Sequence, residues 1–168
     1  KKAIAIHPRT DATGLHDALA ALGAAMIEEA ANRLAREGGL EAEPQDDALS
    51  TYAPLLKKNE GRIDWNARTA EEIDRLVRAF TPWPSAWTTL PGGKTLKILE
   101  AIPAQENISV PPGTAPGTII DRAGNVACGS GGNVLTLLRV QPESGKPMDA
   151  RSAINGGYLA VGARLGME

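Results

Sequence analysis

The sequence predicts a mainly β fold with helices, and three observations carry that reading. After Pro84 the apolar residues fall into five short runs separated by Gly- and Pro-containing turns. Before Pro82 they recur instead at helical spacing, in two stretches. Composition agrees: 18 Gly and 12 Pro with 4% aromatic residues favour many turns around a small sheet.

In chain order, residues 3–6 (Ala-Ile-Ala-Ile) read as a short strand followed by a turn at His7-Pro8. Asp11 or Thr13 caps the next helix, whose Leu15, Leu19, Leu22, Met26, Ile27, Ala30 and Leu34 make one apolar stripe. Gly23 interrupts the stripe at a cost of about 1 kcal/mol relative to Ala and marks a place for a bend or break. Gly38-Gly39 offers a permissive C-cap, and polar residues 40–50, with Pro44, read as a loop or linker.

Residues 51–87 hold every Trp, the single Phe and the best-specified helix. Thr69 and Glu72 form a capping box, in which each side chain satisfies an orphan backbone N–H at the helix start. Ile73, Leu76, Val77 and Phe80 then make one apolar face. Pro82 ends the helix, because its ring disfavours a helical conformation in Thr81. Trp83 and Trp87 are expected to pack this helix against the sheet with Phe80 between them; the alternative is that an exposed Trp stacks on a base.

Residues 86–90 and 94–102 form a hairpin across Pro91-Gly92-Gly93, with Thr95, Lys97 and Leu99 alternating against Leu96, Ile98 and Glu100. Residues 103–116 are a long loop. Residues 117–121 are a third strand, and Gly124-Asn125 turns it into a fourth, 126–129. Gly131-Gly132-Asn133 turns again into 134–140, the most apolar strand. Asp149 caps a short last helix, 150–154. Five short strands and one helix fit a small five-stranded OB-like Greek-key barrel, preceded by a linker helix and an N-terminal helical segment. Domain bounds fall at 1–50, 51–82 and 83–168. Such barrels often bind oligonucleotides, but a fold does not establish a function.

The net charge of −2 is unevenly placed: residues 1–50 carry 5 basic and 9 acidic side chains, and residues 51–168 carry 13 and 11. Lys57, Lys58 and Arg62 crowd one short segment. Lone Cys128 forms no disulfide within the chain, fits a reducing compartment and reads as a small buried residue. His7 and His16 have no Cys near them, so no zinc site is expected. Gly129-Ser130-Gly131-Gly132-Asn133 joins two strands and reads as a hairpin turn, since a phosphate-cradling loop feeds a helix. No apolar run approaches the roughly 18 residues of a membrane span. No signal peptide is apparent, and a start at Lys1 rather than Met reads as processing or as a piece of something longer.

Thr51-Tyr52-Ala53, Lys58, Arg62-Ile63-Asp64-Trp65, Arg78-Ala79-Phe80 and Pro82-Trp83-Pro84, in this order, resemble methionyl-tRNA formyltransferase. Upstream, Asp11, Thr13-Gly14, His16-Asp17, Leu22-Gly23 and Pro44-Gln45 look like the end of that family's catalytic domain. Downstream, Pro116-Gly117-Thr118-Ile119, Gly145-Lys146-Pro147-Met148, Asn155-Gly156, Gly162 and Leu165-Gly166 look like its C-terminal domain. The family's linker has a Lys where Leu55 stands here; Lys58 matches its next Lys, and Lys57 is an added charge.

The resemblance implies a cytoplasmic enzyme of translation initiation. It transfers a formyl group from 10-formyltetrahydrofolate to the amino group of methionyl initiator tRNA. The family's Asn-His-Asp constellation lies upstream of anything matched here. This chain is therefore expected to be the tRNA-positioning C-terminal part, to bind no cofactor and to be inactive alone. Its partners would be the initiator methionyl-tRNA and the catalytic domain, with self-association through the first helix. The expected tRNA-phosphate contacts are Lys57, Lys58, Arg62, Arg78, Lys94 and Lys97. The rival reading is the tail of a sugar- or folate-linked formyltransferase, or a protein-interaction barrel. A continuous positive face on these lysines would favour tRNA, and mixed charge the rival.

Overall fold

The computed structural model describes residues 1–105, 108–129 and 133–167. They form two compact units, Lys1–Leu56 and Lys57–Glu168.

The first unit is built on α1, Ala12–Glu37. Asp11 is the cap, its Oδ1 accepting the Gly14 N–H at 2.7 Å. Gly38, at φ 69°, ends the helix with its N–H on the Leu34 carbonyl. The helix runs through Gly23 without a break, because one glycine in an Ala-rich helix of this length is a tolerable loss. The expected turn at His7-Pro8 forms, with Thr10 N–H donating to the His7 carbonyl at 3.0 Å. The strand expected at residues 3–6 does not form. It has no strand to pair with inside the unit, and an unpaired strand leaves its backbone groups to water. Lys2 donates to Glu29 at 2.9 Å and holds that carboxyl below its usual range. No residue of this unit is buried. Leu15, Leu22, Met26 and Ala30 are half-buried, while Leu19, Ile27 and Leu34 are exposed.

The second unit is a mainly antiparallel sheet covered by helices. It opens with a 3-10 helix, Lys58–Gly61, followed by α2, Ala70–Phe80. The capping box forms as expected, with Thr69 N–H on Glu72 Oε2 at 2.8 Å and Glu72 N–H on Thr69 Oγ1 at 3.3 Å. Ile73, Leu76 and Val77 are buried and Phe80 packs at the rim of the core. The strands are β1 (Ala86–Thr89), β2 (Thr95–Pro103), β3 (Asn125–Cys128), β4 (Asn133–Pro142) and β5 (Met148–Asp149). The last helix, α3 (Ala150–Asn155), is capped by Asp149, as expected.

Central β4 pairs β2 along one edge, and β3 and then β5 along the other; β1 pairs the far side of β2. α2 packs on β2 and β4 and buries Leu96, Ile98, Leu135, Leu137 and Val140. Glu100, expected on the face of Leu96 and Ile98, is exposed instead. Irregular pairing on both sides of Glu100 shifts the phase of β2, so Ala101 is the next inward residue. Both the Thr81–Pro82 and Trp83–Pro84 peptide bonds are cis.

As a ladder of strands the sheet is open. The strand expected at 117–121 is replaced by two isolated bridges, Ile119 to Val126 and Thr118 to Arg164. Gly117 and Gly162 flank the paired positions at φ 87° and 83°, outside the β region, so no continuous ladder develops. Single bonds nevertheless continue around the sheet. Gly117 N–H donates to Ala127 O, Leu165 N–H to Gly117 O and Gly166 N–H to Thr89 O, each at 2.8 Å. The turn expected between β3 and β4 at Gly131-Gly132-Asn133 lies outside the described residues except for Asn133, which pairs with Cys128. Among the described residues no helix is long and apolar enough to cross a membrane.

Candidate nucleic-acid interface

The site grows out of the sharp loop that joins α2 to β1. Ser85 adopts φ 74°, a left-handed conformation that costs a non-glycine residue roughly 1–3 kcal/mol. Two bonds hold it there: Ser85 N–H donates to Phe80 O and Ser85 Oγ to Pro82 O, both at 2.8 Å. Pro84 and Ser85 are thereby buried, and Trp83 is left 64% exposed. This overturns the expectation that Trp83 packs in the core. The core indole is Trp65, 2% exposed, with Nε1 donating to Thr88 Oγ1 at 2.9 Å. Trp87 is half-buried and its Nε1 donates to the Lys58 carbonyl at 3.0 Å.

Sheet register then builds a floor beside Trp83. Trp87 stands opposite Lys97, and Lys97 opposite Gln141, so the three form one row across β1, β2 and β4. Lys58, Trp83 and Pro84 line the same groove as this row. The Glu143–Gly145 turn lines it too, and the groove encloses about 670 Å3. Both lysines are exposed. Glu143 is the acidic residue in the lining, and its Oε2 accepts the Thr95 N–H at 3.0 Å. Gln141 lies in the same lining, and its Nε2 donates to the Gly145 carbonyl at 2.9 Å.

The expected cations are therefore only partly brought together. Lys58 and Lys97 share the groove. Lys57 precedes it as the N-cap of the 3-10 helix. Arg62 lies behind Trp87, its guanidinium carbon 6.0 Å from the ring centroid, a cation–π distance. It lines a second hollow of about 340 Å3 together with Arg164, whose Nε donates to Pro116 O at 3.1 Å. Lys94 lines a third hollow with Leu90 and Tyr158, on the other side of Pro142 and Glu143. Arg78 is elsewhere: its Nε pairs with buried Asp74 at 3.1 Å on α2. Gln141 is a site residue that sequence reasoning does not find, because its importance lies in pairing with Lys97, and register is not written in local pattern.

Cys128 is buried in β3, and burial pushes its thiol up to about 12, so it is protonated and inert at neutral pH. Among the described residues no three His, Cys, Asp or Glu side chains cluster as a metal site would require.

The sequence model described as "Formyl transferase, C-terminal domain" matches residues 55–157. The chain is 44% identical over 169 residues to the methionyl-tRNA formyltransferase of Geobacter metallireducens, covering 99% of this chain and 51% of that protein. It is 41% identical over 167 residues to the one from Paramagnetospirillum magneticum, with 99% and 51% covered. The chain thus spans about half the length of these curated relatives. Among solved structures, a variant of HypX from Aquifex aeolicus shares the fold with a TM-score of 0.56 at 18% identity, over 80% of this chain and 24% of that one. HypX in complex with tetrahydrofolic acid gives 0.54 at 18%, over 80% and 23%. The match reaches from the 3-10 helix beneath the groove to the end of α3 and takes in the Trp65 core, the Pro-Trp-Pro loop and β1 to β5, so this chain belongs to the formyl transferase C-terminal domain family.

Proposed function

We propose that this chain is the tRNA-positioning C-terminal part of a methionyl-tRNA formyltransferase, a cytoplasmic enzyme that formylates methionyl initiator tRNA for translation initiation. On this reading the donor 10-formyltetrahydrofolate and the Asn-His-Asp chemistry belong to a catalytic domain upstream. Residues 1–50 are the end of that domain, 51–82 the linker and its helix, and 83–168 an OB-like barrel. Single bonds such as Gly166 N–H to Thr89 O support the barrel. The chain alone would be inactive.

The observation that carries the proposal is the groove in which Lys58 and Lys97 flank exposed Trp83. Flexible ammonium groups suit phosphates as point charges, without base-edge readout. Lys57 adjoins Lys58 in the chain, Arg62 and Lys94 line separate hollows, and Arg78 pairs with Asp74 on α2, so any phosphate contacts they make are additional to the groove. The face is of mixed charge, with Glu143 in the lining beside the two lysines, which by itself favours the rival reading of another formyltransferase tail or a protein-interaction barrel; similarity to methionyl-tRNA formyltransferases over nearly the whole chain supports the tRNA reading against it.

The test is a salt titration of tRNA binding by the wild type and by Lys58→Ala/Lys97→Ala. Each phosphate that is no longer neutralised should lower the log–log salt slope by roughly 0.7–0.9, so the double variant should bind more weakly and with a slope shallower by about 1.4–1.8. Equal affinity and slope in the two proteins would remove these lysines from the site.

A further inference from the structure

Electrostatics leaves the most unusual feature of the groove unexplained. A large indole that is 64% exposed carries an avoidable apolar surface, and a loop containing a left-handed Ser85 is spent on holding it there. Resting on the tRNA reading above, we infer that the groove holds one unpaired nucleotide, with its base stacked on Trp83 and its flanking phosphates on Lys58 and Lys97.

Three features support this ligand class. First, an indole face stacks on any base, and it can do so only if the base is out of a duplex. Second, the charge is complementary: the lysines lie in the same lining as the ring, so a phosphate can be neutralised while its base meets the indole. Third, Gln141 stands opposite Lys97 in the same lining and adds an uncharged polar side chain to the floor, which suits the sugar of a nucleotide. The volume of about 670 Å3 falls within the range of roughly 300–1,000 Å3 typical of small-molecule sites. The two bonds of Ser85 fix the loop backbone next to Trp83, so little backbone freedom is lost when the base arrives.

The experiment compares the full chain with Trp83→Ala and Trp83→Phe. Each is titrated with tRNA, with a short single-stranded RNA and with a blunt duplex of the same sequence. The expected results are tighter binding of the single strand than of the duplex and a loss of roughly 5- to 100-fold for Trp83→Ala on the single strand. Trp83→Phe should recover most of that loss, and all three proteins should melt alike. Single-strand affinity unchanged in Trp83→Ala, or equal affinity for duplex and single strand, overturns the stacking site. If tRNA binding then still depends on Lys58 and Lys97, the phosphate reading stands without the stacking site. If the wild type binds no RNA at all, both readings fall together.

Discussion

Trp65 is enclosed by two glycines that come from far along the chain. A Cβ on Gly117, which sits at φ 87°, would lie 2.5 Å from the Leu165 carbonyl oxygen and 3.3 Å from Trp65 Cγ. A Cβ on Gly166, at φ 80°, would lie 2.9 Å from Trp65 Cδ1. The Arg-Ile-Asp-Trp, Pro-Gly-Thr and Leu-Gly motifs therefore meet around one indole, and their shared requirement is packing rather than chemistry. Asp64 supports the same knot by accepting the N–H groups of Asn66 and Ala67 at 3.0 and 3.1 Å. Trp65→Ala should destabilise the protein by about 3–5 kcal/mol, while Trp83→Ala should stay within about 0.5 kcal/mol of wild type. Urea denaturation measures both, and a comparable loss in the two variants would show that the Trp83 ring is packed after all.

At the scale of one element, α2 shows what local signals can specify. Its cap, its apolar face and its end before Pro82 are all written within a few residues, and all three appear in the structure. Arg78 behaves differently. As a letter on the helix it is one cation among several, available to a phosphate. In the fold it stands one turn after Asp74, whose side chain is 8% exposed, and its own is 18% exposed. A buried carboxylate needs a partner, and Arg78 supplies one along the helix. Arg78→Ala should therefore cost about 1.5–3 kcal/mol by removing one charged partner of Asp74, and the folded variant should keep the salt slope of tRNA binding. Thermal melts and the salt titration separate the two effects; a shallower slope with an unchanged melt would return Arg78 to the RNA face.

For the molecule as a whole, the division of labour between its units follows from burial. Among the described residues, those that are buried all lie in Lys57–Glu168, and the first unit has none. A chain trimmed to residues 57–168 should therefore melt at the temperature of the full chain. Leu19, Ile27 and Leu34 on α1 are exposed, 51–71% by area, and apolar rows of this kind favour association. We expect the full chain to self-associate through α1 at high concentration and the trimmed chain to remain monomeric, as read by sedimentation. Full-length monomers under those conditions, or a trimmed chain that unfolds, would contradict this partition.

The sequence by itself determined the elements whose causes are local: α1 with its glycine end and a cap at Asp11 or Thr13, α2 with its box, the β1–β2 turn and the capped α3. It also carried the family, because ordered motifs survive without any knowledge of what they touch. The tertiary structure alone decided which Trp is core, which lysines share a groove, and where the sheet stops. Trp65 and Trp83 look alike as letters, and only Gly117, Gly166 and the left-handed Ser85 assign one to the interior and the other to solvent. Lys97 acquires Trp87 and Gln141 as neighbours through register, and Arg78 loses its availability through the burial of Asp74. These outcomes depend on residues distant in sequence that become close only when apolar surface is buried, a cooperative event that no short window of sequence contains.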